Sequence, residues 1–156
     1  MKLVRLTTVL LLICAATLAS AQGTPDFAGK WTLVPAPGAT GAGGLGQEAT
    51  ITQDATSITI KRTTPMGEFT TIYKLDGSES KNTLTFQGNT IDQVSKSKWD
   101  GGTLKVDTTM TFDGNPVQVS MSMTLDPSGS LLVESTRPDF QGGGAPVTTK
   151  STYKKS

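Results

Sequence analysis

The chain has 156 residues, enough for one domain with a single modest core, and its aromatic share of 6% is lean. Its 14 Lys and Arg stand against 13 Asp and Glu, a near-neutral balance that excludes both the basic footprint of a nucleic-acid binder and a polybasic membrane patch. Histidine is absent and Cys14 is the one cysteine, so the commonest general base and most transition-metal ligands are missing.

The first 21 residues read as a signal peptide. Lys2 and Arg5 form a positive start, "LTTVLLLICAATLA" is the apolar run, and Ala19-Ser20-Ala21 supplies the small residues a signal peptidase reads, so cleavage is expected after Ala21. The run is shorter than the roughly 20 residues of a spanning helix and is interrupted by Thr7, Thr8 and Thr17. A lipoprotein acylated at Cys14 is disfavoured because Ile13 stands where such signals want a small residue. Cleavage leaves residues 22–156 as one domain without a thiol, and taking Lys2 and Arg5 from the 14 leaves 12 basic side chains against 13 acidic ones, a net charge of −1. The expected location is secreted or periplasmic, with no integral membrane span in the mature chain.

Alternation dominates the rest. "EATITQ" and "SITIKR" flank "DAT", "EFTTIYKL" ends at "DGSES", and "NTLTF" closes at "QGN". "TLKVDTTMTF" places Leu104, Val106, Met110 and Phe112 on one face, and "VQVSMSMTL" does the same with Val117, Val119, Met121, Met123 and Leu125. The turn "DGNP" between these two makes them an antiparallel hairpin. "SLLVEST" follows "DPSG", and "VTTKSTYKK" ends the chain. About eight to ten short strands joined by tight turns, with at most one short helix, predict an all-β antiparallel up-and-down barrel; a sandwich is the other way to hide the edges. A membrane barrel is disfavoured, because aromatic girdles are missing and outward positions carry Lys and Asp.

The opening "GKW" (Gly29, Lys30, Trp31) resembles the Gly-x-Trp that begins lipocalin and calycin barrels. The order of "PDFAGKWTLVP", a Gly-rich loop, "YKLDG", "KWDGGTLKV", "LDPSGSLLVES" and "STYKK" is similar to small secreted bacterial lipocalin-like proteins. The resemblance implies that Trp31 closes one end of the barrel, that Gly29 lets the chain pass closely, and that a late cation, here Arg137, packs over the indole. It also implies that the loop "PGATGAGGLGQE" lies at the open end as a lid. Trp99, in "SKWDGG", is either a second end cap or a ligand-stacking platform.

Catalysis finds no footing. Asp76, Asp100, Asp113 and Asp126 occupy D-G or D-P turns, where the carboxylate bonds the local backbone, and Asp107 points outward by parity. No metal site or cofactor is implied: no segment follows a calcium-loop pattern, and the Gly-rich loop lacks the Lys-Ser/Thr of a phosphate loop. Two functions remain open. One is a non-enzymatic binding protein with a small apolar molecule inside the barrel, lined by Ile60, Tyr73, Phe86, Val106, Met110, Val119, Met121 and Met123. The other is a structural or interaction protein of the cell envelope with a filled barrel, since eight strands can pack solid. An apolar pocket would discriminate the two.

Overall fold

The computed structural model describes residues 23–37, 44–65, 67–86, 88–112, 114–139 and 143–156, with the side chains of Phe86 and Phe112 excepted. The expected signal peptide with Cys14, the centre of the Gly-rich loop, Asp113 and the Phe86 side chain therefore lie outside the described residues. Ten strands are present: β1 (Gly29–Leu33), β2 (Glu48–Gln53), β3 (Ser57–Thr64), β4 (Gly67–Lys74), β5 (Ser80–Phe86), β6 (Asn89–Asp100), β7 (Thr103–Phe112), β8 (Asn115–Leu125), β9 (Leu131–Arg137) and β10 (Val147–Lys155). No helix occurs among the described residues.

Every pairing is antiparallel, in the order β4-β3-β2-β1-β10-β9-β8-β7-β6-β5. First and last strands meet through Trp31 opposite Lys155 and Leu33 opposite Tyr153, so the sheet is an up-and-down meander wrapped into a nearly closed barrel. The longest strand, β6, was not expected from alternation. Between Ile91 and Trp99 its inward positions are Gln93, Ser95 and Ser97, all buried, so the apolar signal that marks the other strands is missing from its middle.

The two sheet edges, β4 and β5, meet without a backbone ladder, and side chains join them instead. The Asn82 amide copies a strand neighbour: the Ile72 N–H donates to its Oδ1 (2.8 Å) and its Nδ2 donates to the Ile72 carbonyl (3.0 Å). One turn along, the Lys74 N–H donates to Ser80 Oγ (2.7 Å), and the Ser97 hydroxyl donates to the Lys74 carbonyl. Two edges that would template aggregation are thereby covered by their own molecule.

Strand direction defines two ends. The start of β1, the turns β2–β3, β4–β5, β6–β7 and β8–β9, and the end of β10 lie at one, here the closed end. The Gly-rich β1–β2 and β9–β10 loops lie at the other, with the tight turns after β3, β5 and β7. Aspartates shape the closed-end turns. The Asp54 carboxylate accepts from the N–H groups of Thr56 (2.7 Å) and Ser57 (2.8 Å), and Asp126 accepts from those of Ser128 (2.8 Å) and Ser130 (2.9 Å). Asp76 binds Ser78 in the same way, whereas the Asp100 carboxylate pairs with Lys105 rather than with its own turn backbone. The core is one cluster that includes Phe27, Trp31, Ile51, Ile58, Leu104, Met123, Leu131 and Tyr153.

Candidate functional site

Trp31 is buried on the inner face of β1, and its indole N–H donates to the Phe27 carbonyl (2.8 Å). Phe27 is itself sealed and stacks on Trp99, with ring centroids 5.6 Å apart and an interplanar angle of 25°. Upstream of β1, the Gln53 side chain holds the segment down, accepting from the Phe27 N–H (3.0 Å) and donating to the Pro25 carbonyl (2.9 Å). The cation over Trp31 is Lys155, its Nζ 5.5 Å from the ring. Arg137 cannot take that place: it ends β9 opposite Val147, at the far end of the barrel. Gly29 sits at φ +142° with the Lys155 side chain directly over its Cα, a backbone state that a Cβ would strain.

On the inner face of β10, Tyr153 holds the described end of the Gly-rich loop inside. Its hydroxyl donates to the Gly46 carbonyl (2.9 Å) and accepts from the Leu45 N–H (3.0 Å), and Leu45 is buried. Burial pushes the Tyr153 phenol above its ordinary value, against the opposing effects of the Leu45 N–H, Ser151 and the Arg62 charge. Gly46, at φ +82°, lies so close to the Thr63 carbonyl that a Cβ would stand 2.7 Å from it. The described end of this loop is thus a plug seated between β3 and β10.

The residues expected to line the interior divide into two groups. Ile60, Tyr73, Val106 and Met123 are buried in the core cluster and pack against protein. Met110, Val119 and Met121, with Val117, also point inward by register, yet all four are only half-buried. They form an apolar wall on β7 and β8 that runs toward the open end from Met121, which packs against the core. Facing the same interior are buried polar groups that the sequence reading did not single out. The Ser95 and Thr108 hydroxyls bond each other (2.8 Å), Gln93 Nε2 approaches the Met110 sulfur (3.0 Å), and Thr71 is buried on β4.

Arg62, on the inner face of β3, was also missed, although parity with Ile58 and Ile60 points it inward. Its Nη1 donates over a long 3.4 Å to the Gly44 carbonyl, and its guanidinium lies 6.0 Å from the Phe69 ring centroid. Its Nε is buried without an acceptor.

The outer face is polar and carries exposed ion pairs, Lys61 with Glu68 (3.0 Å), Lys150 with Glu134 (2.9 Å) and Lys96 with Glu79 (3.5 Å). Two depressions occur on that face rather than inside. One of about 310 Å³ is lined by Thr32, Glu48, Thr50 and Lys61, and one of about 430 Å³ by Thr124, Leu132, Glu134 and Lys150. Among the described residues no helix is long and apolar enough to cross a membrane. Comparison with known family models and with curated proteins finds no match to this chain. Geometry alone therefore carries the functional reading.

Proposed function

We propose that the chain is an extracytoplasmic, non-enzymatic, lipocalin-like binding protein that takes a small, largely apolar molecule into the open half of its barrel. The observation behind this reading is the wall of Met110, Val117, Val119 and Met121, which faces the interior and yet stays half-exposed. Inward apolar side chains that protein covers only in part are what a ligand can cover further, and two methionines make the wall adaptable. The charged outer face supports a barrel bathed in water rather than lipid, because Lys61, Lys96 and Lys150 would each cost up to a few kcal/mol near a bilayer midplane. Export by the leader at residues 1–21 belongs to the same reading.

A filled barrel of the cell envelope is the competing reading, favoured by the Leu45 plug on Tyr153 and by depressions that lie outside. Native mass spectrometry of protein purified from its source separates the two. A bound mass that is lost on denaturation, and that Val119→Trp abolishes by filling the mouth, supports binding. A bare mass, together with no calorimetric response to a panel of lipids and sterols, would overturn it.

A further inference from the structure

The β4–β5 seam is closed unevenly. Its side-chain bonds, from Asn82, Ser80 and Ser97, fall at Ile72 and Lys74, in the half nearer the closed end. Backbone direction alternates along a strand, so Thr70 and Glu68 aim their N–H and C=O groups into the same gap as Ile72, and no strand is laddered to them there. What covers Ile72 is an imitation of a strand: the Asn82 amide supplies one acceptor and one donor, the groups that a neighbouring backbone would supply. A true strand could take its place and extend the ladder along the whole edge.

Charges on a sheet edge usually deter pairing, yet those of β4 are opposite in sign and mirror one another. Its outward side chains are Glu68, Thr70, Ile72 and Lys74, all exposed, with Ile72 at 48%. Glu68 stands three residues before Thr71 and Lys74 three after it. When two copies of β4 run antiparallel about a two-fold axis at Thr71, Thr70 faces Ile72 of the second copy and Glu68 faces its Lys74. Each of these pairs exchanges backbone hydrogen bonds, because all four residues aim their backbone groups away from β3. Two ion pairs and two contacts between β-branched side chains result. Glu68 meets Lys61 through Oε2, which leaves its second oxygen for the new cation. The other edge lacks this symmetry: β5 turns Lys81, Thr83 and Thr85 outward and contains no carboxylate.

We infer that a second copy of this chain pairs with the β4 edge, joining two barrels through β3 and β4 of each, with Asn82 as the competing occupant of the same backbone groups. The inference does not depend on what the barrel binds. Pairing is weak and reversible, since the seam must part at Asn82 and Ser80 before the second strand enters.

The test is sedimentation velocity of the full mature chain, up to about millimolar concentration, beside Asn82→Ala, Glu68→Lys, Lys74→Glu and an equimolar mixture of the last two. The wild type is expected to dimerise near the top of that range, and Asn82→Ala about tenfold more tightly, because it loses hydrogen bonds that compete with the second copy. Each charge reversal alone sets like charges opposite each other and is expected to stay monomeric. Their mixture restores both ion pairs and is expected to form a heterodimer, which native mass spectrometry recognises when one variant is isotopically labelled. Wild type and Asn82→Ala both staying monomeric would overturn the inference. So would single reversals that dimerise like the wild type, or a mixture that stays monomeric, because the contact then lies away from β4. A dimer in Asn82→Ala alone would overturn pairing of the native chain and make Asn82 the guard of that edge. Glu68 and Lys74 are exposed, so their variants are expected to melt within a few degrees of the wild type. Should Asn82→Ala fail to fold, the wild type and the charge reversals still decide.

Discussion

Trp31 combines the three kinds of contact that an indole can make at a barrel floor: a buried ring, a satisfied N–H on the Phe27 carbonyl, and a cation, Lys155, over its face. Trp31→Ala would leave a large cavity and an orphaned carbonyl, and is expected to cost about 3–5 kcal/mol in urea denaturation. A loss below about 1 kcal/mol would mean that the floor is held by Phe27 and Trp99 alone. The parity of "GKW" and of the strands on either side of "DGNP" made these inward positions legible. The place of Lys155, rather than Arg137, over the indole was not, because both cations lie late in the chain and only strand direction says which end each occupies.

At the scale of elements, the weak point is the β4–β5 seam. Nine strand pairs share backbone ladders, whereas this junction depends on the Asn82 amide and on the hydroxyls of Ser80 and Ser97. Asn82→Ala is expected to lower stability by about 1–2 kcal/mol, the value of two partly exposed hydrogen bonds, and to speed hydrogen exchange at the Ile72 amide well beyond that of the β7–β8 amides. Unchanged exchange at Ile72 would show that the seam is closed by packing instead. The same region explains why β6 escaped a reading by alternation. The middle of its inner face carries Gln93, Ser95 and Ser97, which serve the seam, the neighbouring strand and the polar interior, so the apolar period is broken between Ile91 and Trp99.

Across the whole molecule, pH acts at the closed end and at the plug. Hydrogen bonds from Thr56 and Ser57 hold the Asp54 carboxyl at about 2, against an ordinary value of 3.8, and those from Ser78, and from Ser128 and Ser130, lower Asp76 and Asp126. A carboxyl lowered on folding stabilises above its unfolded value and loses that contribution as pH falls through the folded one. Stability is therefore expected to be flat down to about pH 4 and to fall between 3.8 and 2. Urea midpoints across that range check this, with a shallower fall in Asp54→Asn/Asp126→Asn, whose amides keep an acceptor for the turn but do not titrate. At the alkaline side the sign reverses in cause. The Tyr153 phenol is raised mainly by burial, so the unfolded chain deprotonates first, and stability should decline as pH rises above 10.

The sequence by itself determined the all-β class, the antiparallel meander, the turn positions and the identity of most inward side chains, because period-two alternation and Asp-Gly turns are local signals that each strand carries alone. Only the tertiary structure decided which inward residues are core and which are wall. Ile60 and Met110 have the same parity, and one is sealed while the other is half-open because of where each strand ends and where the Leu45 plug sits. It decided, too, that no carboxylate among the described residues pairs with Arg62, since Glu48 and Glu68 are turned to the opposite face of the sheet. Counter-charge depends on which strands closure brings together, and no local pattern records that.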